Sequence, residues 1–429
     1  MITQGLWQTI LEKQETKATG RLGLSWIAES MEHFGLKDII NKQIKKSTHR
    51  AISGWEKVLA GALTLIAGGN RIEDIEQIRA DKGLLHSLKL KSLPSPDTYL
   101  DFLGIKRSGG KLRKINEETI IKALKKTPIS EFTYDNDATY FDSNKDSAAY
   151  SYQKEKQFSA LLGTIPELSN LCATVDFRPG NVSPAAGILN QLKKAVLYAK
   201  KTGKKLARFR SDSAAHNLDI FLYCESNNIK YFVSLDKNAI TKKEAKGIRE
   251  ENWQALPDRK DVEWAETIHV MARGKKCKLA MRTLILRWPN PEPNLFAQEP
   301  YYYHIIATND WDILPMDWLK FHNGRMASEN VNKELKTGLA ACYMPSHNFD
   351  KNRAHFLVAV LAYNFLQIFK LFYLGKNSLT WTVKTLRYRF IFNVAVFIRH
   401  ARSTTCRLLN VTKDTFYLFK KCQAAWMFI

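Results

Sequence analysis

From Leu22 to about Lys125 the apolar residues recur at helical spacing, as at Trp55, Val58, Leu59, Ala62, Leu63 and Ile66. Turn formers at Gly68-Gly69 and at Pro94 to Pro96 divide the stretch, so a helical N-terminal region is predicted. After Pro128 the period shortens. Glu131 to Tyr140, Phe158 to Leu162 and Leu171 to Phe177 read as three consecutive strands, hence an antiparallel meander. A helix over Ala185 to Lys201, a strand at Leu206 to Arg210, a helix at Leu218 to Asn227 and a strand at Lys230 to Leu235 follow. That alternation predicts mixed α/β architecture. Thr267 to Met271 and Thr283 to Trp288 read as hairpin strands of an inserted block, with a short helix over Thr241 to Glu251, before the strand Tyr302 to Ala307 resumes the core.

The pattern divides the chain into a helical region over 1–128, a core over 129–238, a β-rich insertion over 239–300, a second core part over 301–375 and a C-terminal helical region over 376–429. The stretch Lys106 to Lys114 holds a Gly pair and reads as a flexible basic linker. Phe356 to Leu374 approaches membrane-spanning length, but Asn364, Gln367 and Lys370 interrupt it, so a buried helix and no membrane are expected. Phe390 to Ile398 is shorter and also reads as core.

Composition then narrows the partners. With 65 Lys and Arg against 42 Asp and Glu, the 429-residue chain carries +23, and 45% hydrophobic residues exclude a disordered protein. Such a charge attracts polyanions, of which nucleic acid is the obvious one. The six cysteines are scattered, without zinc spacing, which fits a reducing cytosol, and the N-terminus does not read as a secretory signal.

Three acidic positions suit phosphoryl transfer, where divalent cations held by oxygen ligands stabilise the attacking and leaving oxygens. Asp137 lies in Tyr134-Asp135-Asn136-Asp137-Ala138-Thr139, where alternation puts Asp135 on the same face and leaves it a rival ligand. Asp212 follows the strand ending at Arg210, at the carboxyl edge where α/β sheets place ligands. Taken alone, each Asp is an ordinary turn or cap residue. Glu329 lies in a helix predicted from Arg325 to Lys336 and stopped by Gly338. At roughly 100° per residue, Glu329 falls about 40° and Lys336 about 20° from Arg325, whereas Glu334 falls about 180° away. Ordinary intrahelical ion pairs would give the same stripe.

The spacing Arg325, Glu329, Lys336 resembles the Tyr-Arg-Glu-Lys signature of DDE-type insertion-sequence transposases, with His322 at the Tyr position as a departure. Asp137-Ala138-Thr139, Phe177 to Asn181, Arg210 to Ser213, Ala67 to Asp74 and Pro94 to Thr98 also resemble the transposase DDE domain group 1 family, in the same order. That resemblance implies an RNase H-like core with a β-rich insertion, preceded by a helical N-terminal DNA-binding region and followed by C-terminal helices. It implies Asp137, Asp212 and Glu329 as catalytic metal ligands for two Mg²⁺ ions, for which Mn²⁺ could substitute. Cleavage at element ends and joining of the 3′ ends to target DNA would follow, with terminal repeats and target duplex as partners and a homodimer holding two ends.

Arg325, Lys336, His322 and Arg210 are the expected DNA contacts at the site. Lys193-Lys194, Lys200-Lys201, Lys204-Lys205, Lys242-Lys243 and Arg273 to Lys278 are further candidates for phosphate contact. Trp253, Trp264 and Trp288 could stack on an unpaired base, although packing is the simpler expectation. His216 and His322 read as structural or phosphate-binding residues. The competing readings are a DNA-binding relative without catalysis and a nuclease or resolvase on the same core.

Overall fold

The computed structural model describes residues 17–48, 51–274, 277–290, 299–400 and 403–427. A two-residue strand, β1 (Ala18–Thr19), opens the described chain. The helices α1 (Leu22–His33), α2 (Leu36–Gln43), α3 (Gly54–Ala67), α4 (Ile75–Arg79), α5 (Lys82–Ser87), α6 (Pro96–Gly104) and α7 (Ser108–Lys126) follow, as the apolar spacing predicts. Ser53 and Glu56 form a capping box that starts α3, and Gly68 ends it at φ 105°, in the left-handed region.

The expected linker is instead the first turns of α7. Arg107 turns the chain at φ 67°, and Gly109 is already helical and buried. A Cβ at Gly109 would lie 2.9 Å from Arg353 Nε, so this glycine permits a close approach rather than flexibility.

The strands β2 (Glu131–Asp142), β3 (Ala149–Tyr150), β4 (Lys156–Ile165) and β5 (Leu171–Pro179) give the antiparallel meander. Then α8 (Ile188–Thr202), β6 (Lys205–Ser211), α9 (Leu218–Ser226), β7 (Lys230–Ser234) and α10 (Ala239–Lys246) alternate. β8 (Gln254–Leu256), β9 (Arg259–Arg273), β10 (Cys277–Pro289) and β11 (Tyr301–Thr308) complete one sheet of ten strands, ordered β3-β4-β2-β6-β7-β11-β10-β9-β8 with β5 beside β4. Among the described residues only β2–β6 and β6–β7 run parallel. The inserted hairpin is therefore continuous with the core sheet, because β10 pairs with β11 over eight residue pairs.

Beyond β11 come α11 (Pro315–Asn323), α12 (Met326–Lys333) and α13 (Phe349–Ile368). The helical run Phe349–Leu374 is long and apolar enough to cross a membrane, but 89% of its most apolar window is buried inside the fold. The polar residues that interrupt it bind other elements together. Asn364 donates to Asn116 Oδ1 and Cys172 O and accepts from Cys172 N, while Lys370 donates to the carbonyls of Leu379 and Trp381.

The C-terminal region is not all helix, contrary to expectation. Between α14 (Val383–Leu386) and α15 (Lys413–Ala425) lie β12 (Ala395–His400) and β13 (Ser403–Leu408), which join β1 in a three-stranded sheet. Phe390 to Ile398, expected as one core stretch, divides between a wide helical turn ending at Ile391 and β12. Alternate residues Ala395 and Phe397 are buried, and Ala18 faces Val396, so the strand period is satisfied by a partner from the other end of the chain.

Candidate active site

The parallel register of β2 and β6 sets Asp135 opposite Arg210 and Asn136 opposite Ser211. Alternation then turns Asp135 and Asp137 to one face and brings Asp137 level with Asp212, the residue after β6. Asp212 caps the next turn, its Oδ1 accepting from Ala214 N at 3.1 Å. Across this edge lies α12. Asn332 Nδ2 donates to Asp137 Oδ2 at 2.7 Å, and Arg325 Nη1 lies 3.4 Å from Asp137 Oδ1. The same guanidinium reaches Glu329 Oε1 at 3.6 Å, so Arg325 spans both carboxylates. Asp137 is nearly buried, at 12% side-chain exposure, whereas Glu329 is open at 56%.

Burial pushes the Asp137 carboxyl up to about 6; Arg325 and Asn332 oppose the rise, and the nearby charges of Asp212 and Glu329 add to it. Asp137 therefore feels both of the other carboxylates, and the Arg325 guanidinium partly offsets their charge. Their donors are hard oxygens, suited to Mg²⁺ or Mn²⁺. Among the described residues no three His, Cys, Asp or Glu side chains stand close enough to hold an ion, with Arg325 in contact with both Asp137 and Glu329.

Asp212 and Lys336 line one open groove of about 480 Å³ with Tyr140, Asp142 and Tyr152. Lys336 is half-buried, with Nζ 5.3 Å from the Phe141 ring centre. Burial lowers the Lys336 ammonium below its ordinary range, against the pull of Asp142, Cys342 and Asp137. The helix predicted from Arg325 to Lys336 widens at Glu334, where the π-helical turn Glu334–Gly338 begins. Glu334 does lie off the site's face: its Oε2 accepts from Val383 N.

Several expected residues are placed differently. Asp135, the rival ligand, is 1% exposed and sealed by Arg210, whose Nε and Nη2 donate to it at 2.7 and 2.6 Å. Arg210 also donates to Phe321 O, so a guanidinium expected at phosphate is committed to the core. His322, in α11, is 4% exposed, with its Nε2 3.2 Å from Ser234 Oγ, and burial pushes its imidazole down to about 3. A buried neutral ring does not meet DNA.

Trp253 packs under Arg287 and Trp288 lies against Tyr302, as the packing expectation has it. Among the basic runs, Lys194 pairs with Glu117, Lys204 donates to Thr127 O and Ile129 O, and Lys242 pairs with Glu299. Lys275 and Lys276 lie outside the described residues. Asn332 is the residue sequence reasoning missed. At roughly 100° per residue it falls about 20° from Arg325, so the helical wheel that selected Glu329 selects it as well.

Two parallel strands that deliver aspartates to one edge, under a helix that carries glutamate and arginine, define a mixed α/β protein with a polar, acidic face. The chain belongs to the transposase DDE domain group 1 family, whose model matches residues 11–423, and it is a transposase. Among solved structures it is similar to a piggyBac transposase synaptic complex with hairpin DNA, at 10% identity and a TM-score of 0.42, over 81% of this chain and 74% of that one. No curated protein matches the sequence.

Proposed function

We propose that the protein binds the ends of its own insertion sequence, cleaves them by two-metal-ion phosphoryl transfer and joins the 3′ ends to target DNA. The observation that supports this best is the placing of Asp137, which faces Arg325 and Asn332 of the helix that carries Glu329 and stands on the strand beside the one that ends at Asp212. The strand order β5-β4-β2-β6-β7, with its parallel centre and antiparallel flank, supports an RNase H-like core.

In this reading Asp137, Asp212 and Glu329 would hold two Mg²⁺ ions, with Mn²⁺ as a substitute. When bound, the ions supply charge stabilisation at the attacking and leaving oxygens. Asn332 orients Asp137 by its bond to Oδ2. Arg325 neutralises Asp137 and Glu329 in the free protein, and with Lys336 in the adjoining groove it offers cations to the backbone phosphates. The DNA partner is the terminal repeat and then the target duplex. A homodimer would hold two ends, and six free cysteines fit the reducing cytosol.

A plasmid carrying the gene with its native flanks, incubated with protein and Mg²⁺, should release the element and yield joined products. Asp137→Ala, Asp212→Ala and Glu329→Ala should each stop both steps while the folded protein persists. Undiminished cleavage by all three variants would overturn the assignment.

A further inference from the structure

The last 54 residues, 376–429, carry ten Lys and Arg against a single Asp. Such an imbalance in one short region is far more extreme than the 65 to 42 of the whole chain. Aromatic residues are interleaved with these cations, and several are exposed: Tyr388 at 84%, Tyr417 at 68% and Phe416 at 47%. A monomer that leaves large rings in water beside cations has a surface suited to a charged, flat-faced partner.

The fold gathers these residues. A groove of about 820 Å³ runs between the segment Leu374 to Trp381, the turn at Tyr388 and Arg389, and the N-terminal turn of α15. Arg389 is exposed and stacked on Trp381, 5.3 Å from its ring centre, and among the described residues it has no carboxylate within ion-pair distance. Lys413 and Lys420 on α15 are likewise exposed, the latter 5.8 Å from the Phe416 ring. Lys421 donates to Leu374 O, which ties α15 to the opposite wall. The 13-residue α15, capped by Thr412, turns its first residues to the groove and adds a partial positive charge there. Asp414 is the one carboxylate in the lining, and the surrounding cations outnumber it.

We propose that this C-terminal groove and the exposed face of α15 beside it form a second contact for double-stranded DNA, with Arg389 in the groove and Lys413 and Lys420 outside its lining on backbone phosphates, and Tyr388 and Tyr417 packed against the sugars. Charge complementarity selects the occupant: a second copy of this chain would bring the same cations to the same face and be repelled. The groove is built from elements outside the sheet that carries Asp137. The proposal takes from the transposase reading only that the protein handles DNA.

The test is binding of a random-sequence duplex, followed by fluorescence anisotropy over a series of salt concentrations, with metal omitted. The triple variant Arg389→Glu, Lys413→Glu, Lys420→Glu should lose ~10-fold or more in affinity and show a salt slope smaller by about 0.9 for each phosphate no longer neutralised. Tyr388→Ala with Tyr417→Ala should weaken binding a few-fold with the slope unchanged, because rings release no counterions. A matched triple reversal at the exposed Lys89, Lys91 and Lys154 controls for net charge.

Equal weakening in the control and groove variants would overturn the proposal, as would unchanged affinity and slope. Unchanged affinity with an altered sedimentation coefficient would make the face a self-association surface and also overturn it. Because metal is absent, the result does not depend on catalysis.

Discussion

The protein contains two Asp–Arg pairs two residues apart on the same face of β2, and they have opposite fates. In the lower one, Asp135 and Arg210 are 0% and 6% exposed at the side chain and meet at 2.6 Å. In the upper one, Asp137 and Arg325 stand 3.4 Å apart, at 12% and 18%, beside the open Glu329. The lower pair joins neighbouring strands and has no room for a ligand. The upper pair joins a strand to a helix, and its arginine is shared between two carboxylates. The same two residue types thus serve as a fastening in one place and as an exchangeable counter-charge in the other, and burial decides which.

The sharpest test of that contrast is activity. Asp137→Ala should reduce cleavage by at least ~10³-fold with little change in melting temperature, since the variant removes a charge that burial disfavours. Asp135→Ala should do the reverse at the level of folding. Removing one partner of a buried ion pair leaves an uncompensated charge, at a cost of about 3–5 kcal/mol. Chemical denaturation of the two variants, beside cleavage assays, checks both outcomes. A stable but inactive Asp135→Ala protein would exchange the two roles and break the comparison. Replacing the pair together, as Asp135→Leu with Arg210→Met, should recover most of the lost stability, because no charge is then stranded.

A smaller effect belongs to Asn332. If it aims Asp137, Asn332→Ala should raise the Mg²⁺ concentration needed for half-maximal cleavage by roughly 10–100-fold, the usual range for a partner that orients a metal ligand. The maximal rate at saturating Mg²⁺ should fall less. A slower rate with no change in Mg²⁺ dependence would assign Asn332 to helix placement alone.

Much of this arrangement was legible in the chain alone. The helical phase of Glu329, the strand end at Asp212 and the strand-to-insertion-to-strand order follow from local period, and local period is written in the sequence. The choice between Asp135 and Asp137 was not legible, because both share a face and only the cross-strand register with Arg210 buries one of them. The C-terminal hairpin was hidden for a related reason: β12 pairs with two residues at the other end of the chain, and no local pattern announces a partner so distant. The Gly109-Gly110 pair misled because a small residue that admits Arg353 looks the same in sequence as one that grants flexibility. Asn332 was legible from the same helical wheel, but an amide attracts less notice than a charge.

The smallest predicted effect concerns pH and the histidines under the site. His322 is pushed down to about 3 and His304 to about 4, both mainly by burial, and their rings lie 5.7 Å apart. The native state therefore keeps both neutral, while the unfolded chain takes up protons near the ordinary value of about 6.5. Below that value the unfolded state binds more protons, so stability is intact above about 6.5 and is lost as the pH falls toward the folded values. The melting temperature should decline steadily from pH 7 to pH 5. In His322→Gln, which keeps a polar partner for Ser234 but cannot be protonated, that decline should be shallower. An equal slope in the two proteins would mean that the acid sensitivity resides elsewhere in the fold.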